Sequence, residues 1–204
     1  TITNEFAAEL CAGNERLIPF CSINPHLISR PGREAARLFD AGFRGVKLLP
    51  TYNHFYLNEP VLYPLYNEAQ ERGLPVLVHT GSSVFKGSKL KYGDPLLVDE
   101  IAVDFPGLKL VMAHGGRGFW YDKAAFLCRL HENVYIDLTG LPPSNYTKYY
   151  PDFEKITDKL VYGSDWPTTP SRNEAISAIK NMNISNEAKE NILGMTAAKL
   201  LELL

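Results

Sequence analysis

Short runs of Val, Ile and Leu, each followed by a longer amphipathic stretch, recur along these 204 residues and limit the fold more than any other feature. The runs are 17–23 (LIPFCSI), 45–49 (GVKLL), 75–79 (PVLVH), 108–114 (LKLVMAH), 134–138 (VYIDL) and 160–163 (LVYG). Continuous apolar character predicts strands buried on both faces, the habit of a parallel sheet. They begin about 25 to 35 residues apart, the size of a βαβ unit. Helix signals fill the intervals. Pro31 opens a stretch that stops at Gly42, Glu59 and Pro60 open one that stops at Gly73, and Asp94 and Pro95 open a third. A fourth, 120–133, runs straight into the next strand. A helix over 4–12 precedes the first run. The tail, 171–204, predicts two or three helices broken around 184–186 and at Gly194.

Alternating strands and helices specify an α/β fold with parallel strands. A doubly wound open sheet and an eight-stranded barrel both fit. The count is six strands, and the chain starts on a helix. The expectation is therefore a (β/α)8 barrel of the TIM type that lacks its first two strands. A typical barrel has about 250 residues, which two more units would supply. No break in composition divides the chain, so residues 1–204 are expected to form a single barrel domain, incomplete at its N-terminus.

Charge narrows the partners. Lys and Arg total 21 against 23 Asp and Glu, and no basic run occurs, which argues against nucleic acid or an anionic membrane. No apolar run approaches the roughly 20 residues of a membrane span. Residues 1–14 do not read as a secretory signal. Cys11, Cys21 and Cys128 are odd in number, far apart and without CxxC spacing, so a disulfide framework or a cysteine zinc site is not expected. Inert thiols in a reducing compartment, hence a cytoplasmic protein, are the default.

Polar residues fall where such folds keep their sites. His79 ends PVLVH, His114 ends LVMAH, and Asp165 follows VYGS, each at the carboxyl end of an expected strand. Strand alternation puts Leu77 with His79, Leu110 and Met112 with His114, and Val161 and Gly163 with Asp165. If those faces point into a barrel, three side chains able to bind a metal converge at its mouth. Imidazole and carboxylate suit Zn²⁺, and also Mn²⁺ or Fe²⁺. Taken singly, each has a plainer reading, a hydrogen-bonded strand-end histidine or a capping aspartate.

Lys47 interrupts an apolar strand. It reads as a contact for a substrate carboxylate, as a carbamylated bridging ligand, or as a lysine reaching out to a loop. Asp137 reads as a hydrogen-bond partner of a neighbouring ligand or as a direct participant. His26 and His54 lie in loops after strands that would face the site, and His54 is a candidate substrate contact. Tyr52, Phe55 and Tyr56 could line a pocket or cover a rim. His131 is a favourable charge at a helix end. The run Gly115-Gly116-Arg117-Gly118 matches no phosphate-binding motif and reads as a tight turn, with Arg117 an anchor for a substrate carboxylate.

PVLVHTG (75–81), LKLVMAHGG (108–116) and LVYGSDWP (160–167), in this order and at these intervals, resemble the amidohydrolase-related family that includes aminocarboxymuconate-semialdehyde decarboxylase. GVKLLP (45–50) and PLYNEAQERGLP (64–75) match as well, so the resemblance spans nearly the whole chain. It implies a (β/α) barrel holding one divalent metal, usually zinc, and a decarboxylase or hydrolase of small carboxylated or aromatic substrates. It implies that His79 is a metal ligand from the family's fifth strand. It makes His114, from the sixth, the acid/base or substrate-polarising residue, and Asp165, from the eighth, a metal ligand that orients or deprotonates water. The family's HxH pair, from its first strand, has no counterpart in this sequence.

The leading functional expectation is thus a metal-dependent hydrolase of a small organic substrate working through metal-activated water. Decarboxylation of a small carboxylic acid is the alternative. A non-catalytic remnant, either an open sheet or a half-closed barrel paired as a homodimer, acting in binding or assembly, and a flavodoxin-like binding domain stand behind them. The last predicts no metal and leaves three polar strand ends unexplained.

Overall fold

A computed structural model describes residues 2–167 and 172–204. Six strands form one sheet: β1 (Cys21–Ser22), β2 (Val46–Leu48), β3 (Val76–Gly81), β4 (Leu110–Arg117), β5 (Val134–Asp137) and β6 (Leu160–Val161). Their order in space is their order in sequence, and every neighbouring pair is parallel. The expected α/β class and strand count stand. The outer strands are shorter than their apolar runs predict, two residues each in β1 and β6.

Register defines two faces, since Cα partners on parallel strands point the same way. Val46, Leu48, Val76, Val78, Leu110, Met112, Val134, Ile136 and Leu160 share one face, and none is more than 1% exposed. Helices cover this side. They include α2 (Pro31–Asp40), opened by Pro31 and Gly32, α4 (Tyr63–Glu71), α5 (Leu96–Asp104) and α6 (Tyr121–Leu130), which packs on β4 and β5. Lys47, Leu77, His79, Val111, Ala113, Asp137 and Val161 take the opposite face.

Other helical pieces fill the connections. α1 (Asn4–Cys11) starts on Thr3, whose hydroxyl accepts from the Phe6 amide. α3 (Pro50–Asn53) is a single turn directly after β2, which the strand pattern did not predict. α7 (Tyr146–Tyr149) follows β5. In the tail, Ser171 lies outside the described residues, and α8 (Arg172–Lys180) follows it. α9 (Asn186–Glu190) and α10 (Thr196–Leu200) flank the segment Asn191–Met195, where Gly194 leaves helical geometry (φ 176°, ψ −34°), so the tail helices break at Gly194 as expected. Lys109 Nζ donates to the carbonyls of Gly73 and Leu200, both at 2.9 Å, tying α10 under the sheet. The three cysteines are free, with Cys21 and Cys128 buried. Among the described residues no helix is long and apolar enough to cross a membrane.

Candidate active site

β3 delivers His79 by plain alternation. His79 follows Leu77 on the face opposite the helices and pairs in register with Ala113. β4 delivers His114 differently. Leu110 and Met112 lie on the helix-covered face, so alternation from them would turn His114 away from the site. The structure corrects that expected grouping. Register runs His79 to Ala113 and then Gly81 to Arg117, which leaves extra residues on β4 between the two pairs. The resulting bulge re-aims the strand end, and His114 takes a left-handed φ of 65°.

Asp165 shows the same device after β6, with φ 53°. Among the described residues only four non-glycine positions have positive φ, and His54, His114 and Asp165 are three of them. Such conformations cost about 1–3 kcal/mol each and persist where the surroundings over-determine them, often at functional sites.

The ends of β2, β3 and β4 and the loops after β5 and β6 enclose a cleft of about 860 Å³. It is lined by Lys47, His79, His114, Arg117 and Asp165, with Tyr52 and Phe85 as its aromatic wall. The rings of His79 and His114 lie 4.7 Å apart, edge to face, and Tyr52 packs edge-on against His79 at 5.0 Å. Gly140 sits among the polar groups: a β-carbon there would lie 3.0 Å from Arg117 Nη1, 3.3 Å from Asp165 Oδ2 and 3.5 Å from His114 Nδ1. Five of the six residues proposed for the site from sequence therefore meet in one cleft.

His54 is the sixth and does not line it. Its Nε2 donates to the Gly87 carbonyl at 2.9 Å and its ring stacks on Tyr92. His26 Nε2 in turn lies 3.2 Å from the His54 carbonyl. Of the aromatic trio, Tyr52 reaches the cleft, Phe55 is buried in the core, and Tyr56 packs on Tyr92. Val84 and Phe85, in the polar loop after β3, also line the cleft. Only their apolarity within SSVFKGSK could have marked them in the sequence.

Burial is the main cause of the electrostatics. It pushes His79 down to about 2, helped by His114, Lys47 and Arg117 nearby. It pushes His114 down to about 4, opposed by its bond to the Thr139 backbone. Both imidazoles are neutral near pH 7. His114 Nδ1 donates to the Thr139 carbonyl at 2.8 Å, so Nε2 carries the lone pair. Desolvation lowers Lys47 to about 8, with Asp137 and Asp165 opposing. Asp137 is raised by burial, while bonds from Thr139 and the charge of Lys47 work against the rise. Thr139 donates to Asp137 Oδ1 through its amide at 2.9 Å and also through its hydroxyl.

A divalent metal is what the donor set suggests, and one atom tests the fit. His79 Nε2 is buried without a hydrogen-bond partner, while its ring bonds to the Ser82 backbone. An orphaned buried imidazole nitrogen costs free energy unless something coordinates or bonds it. A cation beside the Asp165 carboxylate in the same cleft would satisfy it. Among the described residues no group of three or more His, Cys, Asp or Glu side chains is placed to share an ion. His79 and Asp165 line the same cleft, and imidazole nitrogen and carboxylate oxygen are donor types that a divalent cation takes.

The profile of the amidohydrolase family matches residues 1–203. Solved structures agree on the fold. An uncharacterised TIM-barrel protein from Bordetella bronchiseptica superposes with a TM-score of 0.84 at 23% identity, over 99% of this chain and 73% of that one. A 2,6-dihydroxybenzoate decarboxylase, solved with 2,6-dihydroxybenzoate, gives 0.71 at 18% identity, over 98% and 75%. A 5-carboxyvanillate decarboxylase from Novosphingobium aromaticivorans, complexed with manganese and 4-hydroxy-3-methoxy-5-nitrobenzoic acid, gives 0.71 at 18%, over 98% and 68%.

Proposed function

Because the chain belongs to the amidohydrolase family, we propose that it is a metal-dependent hydrolase of a small carboxylated substrate, with His79 and Asp165 as metal ligands and His114 as proton carrier. The observation that carries this reading is the fixed tautomer of His114. Its Nδ1 is committed to the Thr139 carbonyl, which leaves Nε2 as the proton-accepting nitrogen of a ring that lines the same cleft as Asp165.

A divalent cation bound there supplies Lewis acidity and makes water acidic near neutral pH. The chain's own residues do the rest. His114 Nε2 accepts a proton from the water that adds to the substrate's carbonyl carbon. As the C–N or C–O bond breaks, the same nitrogen returns that proton to the leaving atom. Asp165 orients the water. Arg117 and Lys47 bring positive charge to a cleft whose imidazoles are neutral, which suits a substrate carboxylate. Zinc fits this donor set, with manganese or iron as the alternatives. Three free cysteines agree with a cytoplasmic setting.

Decarboxylation is the second reading. The Lys47 and Arg117 pair beside the aromatic wall of Tyr52 and Phe85 favours it, and so does the likeness to decarboxylases. Isotope labelling separates the two. Chelator-treated protein, reloaded with Zn²⁺ or Mn²⁺, is assayed in H₂¹⁸O on small N-acyl and ester carboxylates and on 2,6-dihydroxybenzoate. Hydrolysis places one ¹⁸O in the acid product and needs the added metal. Release of CO₂ without label in the organic product would replace hydrolysis by decarboxylation, and turnover indifferent to chelation would end the metal reading.

A further inference from the structure

The loop 82–89 runs from the end of β3 to the helical turn at Leu90–Tyr92 and carries two exposed apolar side chains. Val84 is 81% exposed and Phe85 59%, yet both line the cleft that holds His79, His114 and Asp165. Apolar surface left in water at the mouth of a polar cleft is favourable to cover, at about 25 cal/mol per Å². The loop is not adrift. Ser83 Oγ donates to Tyr52 Oη at 2.8 Å, His54 Nε2 donates to the Gly87 carbonyl at 2.9 Å, and the Lys89 amide donates to the Thr51 carbonyl at 2.9 Å. All three anchors lie in or beside α3, the unpredicted turn after β2. Between them Val84 and Phe85 face outward, and Phe85 meets Tyr52 with ring centroids 6.1 Å apart.

Both ends can flex. Gly81 and Gly87 have φ of 89° and 90°, a region open to glycine, and they bracket the apolar pair. At Gly81 a β-carbon would collide with the Arg117 backbone, so that end is pinned against β4. At Gly87 nothing lies within 4 Å.

We infer that residues 82–89 form a strap that closes over the bound substrate, with Phe85 as the specificity-determining cover for an aromatic or otherwise flat apolar body, and with His54 as the positioning residue that holds the strap through Gly87. The inference rests on the cleft's being the substrate site for a small carboxylate. It gives His54 a role that needs no contact with substrate.

Hydrogen-exchange mass spectrometry on the full chain, with benzoate and acetate as probes, tests it. Benzoate is expected to slow exchange across 82–89 by about tenfold and acetate to leave it unchanged, while both protect the segment around Arg117. Phe85→Ala should weaken benzoate about tenfold and acetate hardly at all, as expected for one large apolar contact. His54→Ala should abolish the protection of 82–89 by benzoate while the segment around Arg117 stays protected. His54→Gln, which keeps a donor for the Gly87 carbonyl, should restore it. Benzoate protection confined to the Arg117 segment would overturn the strap and leave the carboxylate site standing. No protection by either probe would remove the carboxylate site, and the strap with it. Equal protection in wild type and His54→Ala would overturn the role of His54.

Discussion

The two faces of the sheet divide the work. Toward the helices, nine strand residues from Val46 to Leu160 form a dry apolar layer with no polar member. On the other face the same strands carry Lys47, His79 and Asp137, and of the apolar residues between them Leu77 and Val161 are only half-buried. Leu77, Val111 and Val161 border a second cavity of about 280 Å³, roofed by Asp137 and Thr139 and floored by Ala197, Leu200 and Leu201. One face stores the stability and the other holds chemistry that works against it: buried imidazoles, a desolvated lysine and left-handed backbone. Proteins tolerate such local violations where function requires them.

If that division is right, a change at the active face should separate activity from folding, and the largest effect belongs to Asp165. Asp165→Asn keeps the shape and removes the charge. Turnover per unit of metal-loaded protein is expected to fall by about 10³-fold or more, roughly 4 kcal/mol of transition-state stabilisation. The thermal midpoint should scarcely move. Steady-state kinetics and a melt on the same sample read both, and unchanged turnover would remove Asp165 from the site.

The opposite dissociation is expected on the helix side. Met112→Ala opens a hole in a fully buried layer, at a cost of about 3 kcal/mol in urea unfolding. The fraction that remains folded should turn over normally, because Met112 faces away from its neighbour Ala113 and from the cleft. A loss of kcat in the folded fraction would mean that the faces are coupled through β4.

Arg117 sits on the boundary. Its Nη2 donates to the Ser82 carbonyl at 3.0 Å, while its Nε is buried without a partner. Arg117→Lys keeps a charge and loses the planar fork. KM for a carboxylated substrate is expected to rise about tenfold to a hundredfold with kcat little changed, since a carboxylate anchor holds ground and transition states alike. A fall in kcat alone would instead place Arg117 at the reacting atoms.

The helix-covered face was legible because burial on both sides leaves a continuous apolar run, and each of β2 to β5 begins within one, though β3 and β4 run on to Gly81 and Arg117. His79 was legible for a related reason, as the polar end of a regular strand. His114 was found for a reason that did not hold. Alternation groups it with Leu110 and Met112, whereas the bulge in β4 and φ of 65° bring it round to the side of Ala113. The glycines that follow it, Gly115 and Gly116, were the available sign that strand periodicity ends there. The Thr139 carbonyl that fixes the His114 tautomer could not be read at all, because a backbone acceptor 25 residues away leaves no trace in side-chain chemistry. His54 misled for the converse reason: a histidine in a loop after a strand resembles a substrate contact, and only coordinates reveal that its ring is committed to Gly87.

The smallest effect separates the faces within one strand. Leu77 and Val78 are adjacent in β3 and point to opposite sides. Val78 is 1% exposed in the helix-covered layer, while Leu77 is half-buried on the wall of the 280 Å³ cavity. Leu→Ala removes more carbon than Val→Ala, so transfer free energy alone makes Leu77 the costlier truncation. Packing reverses the order. Carbon beside an existing void has fewer contacts to lose, and its removal only enlarges a cavity already there. Val78→Ala is expected to cost about 2 kcal/mol in urea unfolding and Leu77→Ala about 1 kcal/mol. Should Leu77→Ala prove the more destabilising in the same chain, the cavity is filled in solution, and the active face is as tightly packed as the helix-covered one.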